Sequence, residues 1–246
     1  MAVAAGVGAR SAVLAAAILV GQASIGWAND YVDAGRDRLV GRRDKPVATG
    51  AASADVVRRC ACAALVAVVP VSLAVGWRPG AAHLVAVGSA WLYDLRLKQT
   101  RLSWLPYAVS FGLLPVIIAT ALPGHPLPQA VVVAAGSCLG IGAHFANTVG
   151  DAADDAHTGV RGLPQRLGPR ASIVIAAVFI AAAAALLVVA TSASAASITA
   201  AAVAVAAVPV VAAGGSRQAP FVAVILATAT LVVAFVVAGA HHLTAA

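Results

Sequence analysis

The sequence has 246 residues and a formal net charge of +7, and 61% of its residues are hydrophobic while only 10% are charged. Soluble domains carry about a quarter charged residues, so this composition excludes a water-soluble globular protein. The mean hydropathy of +0.94 indicates a membrane protein instead. The basic residues lie in short segments between apolar runs, so we interpret them as topology signals and anion-binding groups, with no nucleic-acid partner.

Eight apolar runs follow one another along the chain, most of them of roughly membrane-spanning length. They are Ser11–Ala28, Val56–Val75, Ala81–Tyr93, Trp104–Leu122, Gln129–Thr148, Ala171–Ala190, Ser197–Ala213 and Pro220–Gly239. The third run is short, and we expect it to extend towards Lys98. No alternating pattern predicts a strand, and helices satisfy their own backbone hydrogen bonds in lipid. We therefore predict one all-α, polytopic transmembrane bundle over residues 1–246.

The charges are distributed very unevenly along this pattern. If eight helices alternate in direction, one face of the membrane receives the segments Asn29–Arg59, Asp94–Ser103, Gly150–Arg170 and Gly214–Gln218. These segments hold 14 of the 16 basic residues and all nine aspartates, and the chain has no glutamate. The positive-inside rule predicts that this face is cytoplasmic. The arginine- and alanine-rich composition is associated with bacterial genomes, so we expect a bacterial inner membrane.

Two acidic clusters lie at the ends of apolar runs on this predicted face. If the first helix continues past Asn29, then Asn29, Asp33 and Asp37 lie on one side of it, with Asp30 beside them. The second cluster contains Asp151 and Asp155, again four residues apart. Carboxylates at this spacing repel one another and need a cation, and hard oxygen ligands suit Mg²⁺ shared with substrate phosphates.

Basic residues accompany both clusters and are candidates for binding phosphate oxygens. They are Arg36, Arg38, Arg42, Arg43 and Lys45 near the first cluster and Arg161 after the second. Acidic clusters with a basic rim beside an apolar cavity suit a lipid diphosphate, whose head binds the metal ions and whose tail lies between helices.

Two ordered motifs give a more specific indication. The first contains Asn29, Asp30, Asp33 and Asp37 and continues through Arg42-Arg43-Asp44-Lys45-Pro46 to Gly50. This motif resembles the first signature of the UbiA superfamily of intramembrane prenyltransferases. The second runs from Asp151 and Asp155 to Gly159-Val160-Arg161, Leu163-Pro164 and Leu167-Gly168, and it resembles the second signature of that superfamily.

The resemblance implies an all-helical enzyme that uses Mg²⁺ to ionise a prenyl diphosphate, so that the allylic cation alkylates an acceptor. It implies that Asn29, Asp33, Asp151 and Asp155 are the leading metal ligands, with Asp30 and Asp37 in support. It also implies that Lys98 binds diphosphate, together with the basic residues of the motifs: Arg36, Arg42, Arg43, Lys45 and Arg161. We expect Asp33, Asp151 and Lys98 to be essential for turnover.

The chain departs from the family pattern at two points. Members usually have nine helices, with the first signature after the second helix, so the position of Asn29 implies that the usual first helix is missing. The family often places a Tyr and a Lys four residues apart, whereas Tyr93 and Lys98 are five apart. On a helix this spacing turns the two side chains away from each other, which argues against Tyr93 as a site residue and places Asp94 on the face of Lys98.

The partners implied are a prenyl diphosphate, a small-molecule or lipid acceptor and membrane lipids. Two other functions stay open at this point. A cyclase that closes the prenyl chain on itself would share the same metal ligands. A transporter would require ionisable residues in the middle of the spans, and none of the eight runs has an Asp, Lys or Arg near its centre.

Overall fold

The computed structural model describes residues 8, 10–212 and 216–244, without the side chains of residues 207–212 and 240. None of the described residues belongs to a β-strand, although Pro128 and Thr244 form one isolated bridge. The described part of the chain is therefore an all-helical protein, as its composition predicts.

Eleven α-helices contain most of the described residues. Eight are long: α1 Arg10–Val32, α4 Ala54–Val75, α5 Trp77–Leu95, α6 Leu105–Ala121, α7 Ala130–Thr158, α9 Pro169–Ala190, α10 Ala195–Ala212 and α11 Ala219–Ala238. Three are short: α2 Ala34–Leu39, α3 Pro46–Thr49 and α8 Leu163–Leu167. Two 3₁₀ helices cover Leu97–Gln99 and Ala240–Leu243.

The eight predicted apolar runs fall on the eight long helices, which confirms the predicted bundle. Five of these helices, α1, α4, α7, α9 and α11, have the length and hydropathy of membrane spans. Large apolar side chains such as Leu19, Val66 and Val237 are about 70% exposed on their surfaces. An apolar belt of this kind is suited to lipid contact, and the chain is an integral membrane protein.

The bundle consists of two sets of four long helices joined where α6 packs against α7. In the first set α1 packs on α4 and α5, and α5 packs on α6; in the second, α7 packs on α9 and α11, and α10 packs on α11. The larger apolar core lies in the second set and includes Ile180, Val224 and Leu231. A smaller core of the first set includes Leu14, Val75 and Ile117.

Glycines allow α6 and α7 to approach closely. A Cβ atom at Gly140 would lie 2.3 Å from the backbone oxygen of Tyr107, and one at Gly136 would lie 2.7 Å from that of Phe111. Small residues at helix interfaces let backbones approach and increase van der Waals contact in membranes. This close contact fixes α7, which carries the second acidic motif, against α6.

Ser103 joins three segments at the loop end of the bundle. It is fully buried, it accepts a hydrogen bond from the backbone N–H of Leu163 at 3.1 Å, and its Oγ lies 3.0 Å from Nε2 of His144. These bonds tie the loop that carries Lys98 to α7 and to the segment that follows the second acidic motif. A Cβ atom at Gly162 would lie 2.6 Å from the backbone oxygen of Lys98, so the two backbones are in direct contact there.

We expect Gly140→Ala to lower the free energy of unfolding by about 1–3 kcal/mol, because the added methyl group overlaps a backbone oxygen that cannot rotate away. The measurement is the thermal unfolding midpoint in detergent. Gly88→Ala is the control, because a Cβ atom at Gly88 meets no atom within 4 Å. Equal midpoints for the two variants would contradict the close α6–α7 packing.

We expect Ser103→Ala to destabilise the protein by about 1–3 kcal/mol, because it leaves buried polar groups at His144 and Leu163 without a partner. Ser89→Ala is the control, since its hydroxyl makes only a long bond of 3.4 Å to the Pro106 carbonyl. Limited proteolysis of the loop at residues 96–104 reports the same effect locally. If this loop is cleaved no faster in Ser103→Ala than in Ser89→Ala, the bonds of Ser103 do not hold it in place.

Candidate functional site

A cavity of about 640 Å³ lies within the first set of helices and reaches α7 at its loop end. Its deep walls are mainly apolar and include Ile18, Ile25, Val87, Phe111 and Ile117. Its other end, which we call the mouth, is lined by ionisable and amide side chains: Asn29, Asp33, Arg36, Asp37, Arg42, Lys45, Asp94, Lys98, Asp151, Asp155 and Gln165. The cavity therefore combines an ionic end with an apolar end.

The first acidic motif lies where α1 passes into α2. Helix α1 ends at Val32, but the backbone bonds from Asp33 N–H to Asn29 and from Asp37 N–H to Asp33 continue the helical pattern at 2.9 and 2.8 Å. Asn29, Asp33 and Asp37 consequently all line the mouth, as the spacing predicts. The Asn29 amide donates to Asp33 Oδ2 and to Asp94 Oδ1, both at 3.0 Å.

Two of the basic residues predicted to bind diphosphate contact carboxylates of this motif. Lys98 is buried and donates to Asp33 Oδ1. Lys45 donates to Asp30 at 2.5 Å and to the amide oxygen of Asn29 at 3.2 Å. A buried carboxylate needs a paired charge or hydrogen bonds, and here the neighbouring cations provide it.

The second acidic motif occupies the last turns of α7 and faces the first across the mouth. One guanidinium, that of Arg36, donates to Asp33 Oδ2 at 3.1 Å and to Asp155 Oδ1 at 2.8 Å. The other oxygen of Asp155 accepts a 2.7 Å bond from Gln165. Arg42 lies 3.6 Å from Asp151 and makes a second link between the motifs. The two clusters, about 120 residues apart in sequence, thus form one site.

Two aspartates of the first motif have opposite electrostatic environments. Burial raises the pKa of Asp37 above its usual range, and the negative charge of Asp33 adds to this increase. Asp44 is exposed, and its bonds from Arg42 at 2.9 and 2.8 Å hold its pKa well below its usual range. A cation added at the mouth would therefore stabilise the ionised form of Asp37, whereas the guanidinium of Arg42 already stabilises that of Asp44.

The donor set at the mouth suits a hard divalent cation, although no three acidic, His or Cys groups among the described residues converge on one point. Mg²⁺ usually takes one or two protein carboxylates together with waters and substrate phosphates, so it needs no closed protein cage. Asp94 is buried with Oδ2 lacking a hydrogen-bond partner among the described residues. That free oxygen leaves an unsatisfied negative group beside Asn29 and Asp33.

Not every predicted residue lies at the mouth. Arg43 and Arg161 are exposed and do not line the cavity, and Arg161 uses its carbonyl to accept a bond from Arg166. Asp30 is turned towards Lys45 and does not line the cavity either. These three residues therefore lie outside the cavity lining, and their predicted roles stay predictions.

Three residues of the site were missed or set aside by the sequence analysis. Tyr93 lines the cavity together with Lys98, because α5 ends at Leu95 and Lys98 lies on a separate 3₁₀ helix. The helical spacing argument against Tyr93 is wrong for this reason. Asp94 could have been recognised from the sequence, since it is an acid at the end of an apolar run. Nothing in the sequence marks the uncharged Gln165 as a site residue.

Comparisons with known proteins identify the family and the fold of this chain. The model of the UbiA prenyltransferase family matches residues 1–217. No curated protein matches the sequence. A UbiA homologue from Archaeoglobus fulgidus, solved with GPP and Mg²⁺, is similar over 92% of this chain and 87% of its own, with 16% identity and a TM-score of 0.69.

Two further solved structures have a similar fold. The same homologue with DMAPP and Mg²⁺ matches over 89% of this chain and 87% of its own, at 16% identity and a TM-score of 0.65. A structure described for digeranylgeranylglyceryl phosphate synthase matches over 94% and 85%, at 15% identity and a TM-score of 0.65. At these identities the structures establish a shared fold, and the family model establishes the relationship: the chain belongs to the UbiA prenyltransferase family.

Proposed function

We propose that the protein is an intramembrane prenyltransferase that moves an isoprenyl group from a prenyl diphosphate to a small-molecule or lipid acceptor, with Mg²⁺ as cofactor. One observation carries the proposal: a single cavity has an ionic mouth at one end and apolar walls at the other. Family membership supports it, as do the prenyl diphosphates and Mg²⁺ bound to the Archaeoglobus homologue.

The diphosphate head binds at the mouth, and the isoprenyl tail extends between α1, α5 and α6. On α1 the cavity lining runs from Asn29 to Ile18. At the helical rise of about 1.5 Å per residue, this is a depth of about 16 Å. This is about half the thickness of a hydrocarbon core. Burial of the tail against apolar walls contributes affinity in proportion to its buried area.

The residues that would hold the metal ions are Asn29, Asp33, Asp37, Asp151 and Asp155, with Asp30 in support. When bound, Mg²⁺ neutralises charge on the diphosphate oxygens and acts as a Lewis acid. The proposed diphosphate ligands from the chain itself are Arg36, Arg42, Lys45 and Lys98, which line the mouth. We assign Arg43 and Arg161 to the periphery of this set, because they do not line the cavity.

The reaction begins with cleavage of the C1–O bond, and the electron pair leaves with the diphosphate. Negative charge develops on its oxygens, and Lys98, Arg36 and Lys45 stabilise that charge where it appears. The apolar walls exclude water from the allylic cation. The acceptor then supplies an electron pair to form a bond to the isoprenyl group and releases a proton.

The mouth faces the cytoplasm in this proposal, because the loops around it carry most of the basic residues.

Release of diphosphate by the purified protein tests this function. Prenyl diphosphates of increasing length are supplied with Mg²⁺, with and without pooled aromatic and lipid acceptors. Release that needs an acceptor supports the transferase, and release with a cyclic hydrocarbon product and no acceptor indicates a cyclase. If no prenyl diphosphate is bound or cleaved with Mg²⁺ present, the proposed function is wrong.

We expect Asp33→Asn and Asp151→Asn each to lower kcat by about 100-fold or more, because each removes a charge that holds the metal-bound diphosphate. Asp154→Asn is the matched control, since Asp154 does not line the cavity and its one ion pair among the described residues is with Arg217 at 3.9 Å. The measurement is initial velocity at saturating substrate. Full activity in Asp33→Asn or Asp151→Asn would exclude that residue from the metal site.

We expect Lys45→Ala to raise the KM for the prenyl diphosphate by about tenfold or more, because one charge-assisted contact to the head is lost. Arg161→Ala should leave KM within about twofold, since Arg161 is exposed and outside the cavity lining. The comparison uses steady-state kinetics at fixed Mg²⁺. A larger effect at Arg161 than at Lys45 would reverse our placement of these two cations.

A further inference from the structure

Arg36 lies between two carboxylates that belong to opposite acidic motifs. Asp33 and Asp155 are 5% and 4% exposed, and the guanidinium of Arg36 donates to both of them through different nitrogens at 3.1 and 2.8 Å. The planar fork of arginine suits two acceptors at once. The remaining oxygens of these carboxylates are occupied by Lys98 and Gln165. Every oxygen of the two buried carboxylates therefore has a donor.

The charges at the mouth are partly balanced without any bound ion. Five aspartates and four cationic side chains line it, and two of these cations, Lys45 and Arg42, also pair with Asp30 and Asp44 outside the lining. A divalent cation that binds alone at Asp33 and Asp155 has to displace the guanidinium of Arg36, which then loses both of its partners. A divalent cation that arrives with a diphosphate brings the opposite charge as well, so the displaced guanidinium gains phosphate oxygens as acceptors.

We propose that Arg36 makes the mouth selective for a metal–diphosphate complex over the free metal ion. In the free protein Arg36 occupies the carboxylate oxygens of Asp33 and Asp155 that a cation would use. Metal and diphosphate together release it, and its guanidinium then binds the diphosphate. Because coupling between two ligands is reciprocal, each of them binds more tightly when the other is present. This inference rests on the proposed function and assigns the coupling to one residue.

The variant Arg36→Gln tests the assignment, because glutamine keeps hydrogen-bonding capacity but has no charge to compete with a metal ion. Arg38→Gln is the matched control: Arg38 lies on the same short helix α2, is exposed and has no ion pair among the described residues. Thermal unfolding in the same detergent checks that each variant is folded. If Arg36→Gln is unstable, Arg36→Lys replaces it, since an ammonium is a point charge that does not span both carboxylates.

The measurement is Mn²⁺ binding, followed by the electron paramagnetic resonance signal of the free ion, in the absence and presence of a prenyl thiolodiphosphate that is not cleaved. For the native chain and Arg38→Gln we expect the thiolodiphosphate to tighten Mn²⁺ binding by about tenfold or more, within the usual range of coupling between sites. For Arg36→Gln we expect tighter Mn²⁺ binding without the thiolodiphosphate and a smaller gain when it is added.

The outcomes separate this inference from the proposed function. If the native chain shows strong coupling and Arg36→Gln shows the same coupling, Arg36 is not responsible and the inference is wrong while the function stands. If the native chain binds Mn²⁺ equally well with and without the thiolodiphosphate, there is no selectivity and the inference is also wrong. If the native chain binds Mn²⁺ under neither condition, the metal site and the proposed function are wrong together.

Discussion

Asp33 and Asp155 are buried at the end of a largely apolar bundle, and a buried carboxylate is costly unless it is paired. The protein meets this cost with cations from its own motifs: Lys98 on Asp33, and Arg36 on both Asp33 and Asp155. Removal of one member of such a group leaves an uncompensated charge. The two acidic motifs are therefore held together by the same basic residues that we propose bind the diphosphate.

The two sets of helices have different roles around this site. The set with α7, α9, α10 and α11 contains most of the larger apolar core. Helices α1, α5 and α6 of the first set line the cavity, and α7 lines its mouth. The second motif on α7 is fixed by packing against α6, and the loop with Lys98 is tied to it through Ser103. The helices of the second set thus hold the second acidic motif against the helices that line the cavity.

Much of this arrangement is predictable from the sequence, because the signals are strong. Long apolar runs predict the long helices, and the i, i+4 spacing of Asn29 and Asp33 holds since the helical hydrogen bonds continue through Asp33. The spacing argument about Tyr93 and Lys98 is wrong, because α5 ends at Leu95, between the two residues. The backbone at Arg96 leaves helical geometry, with φ −144° and ψ −49°, so Tyr93 and Lys98 are not related by a helical period.

Other details depend on tertiary structure that the sequence pattern does not encode. Arg43 and Arg161 belong to the recognisable motifs, yet the chain carries them outside the cavity. Gln165 reaches Asp155 because α8 folds back beside the end of α7, and no charge or period marks that residue. The pairings of Arg36 with Asp155 and of Arg42 with Asp151 likewise depend on the meeting of the two motifs in the folded chain.

The central claim is that both acidic motifs hold one diphosphate head while its tail lies between α1, α5 and α6. The most direct measurement is a structure of the protein with Mn²⁺ and an uncleaved prenyl thiolodiphosphate, with the metal located by anomalous scattering. We predict metal between Asp33 and Asp151 or Asp155, and the isoprenyl chain against Ile25 and Phe111. Metal bound outside the mouth, or an isoprenyl chain outside the cavity, would contradict the account.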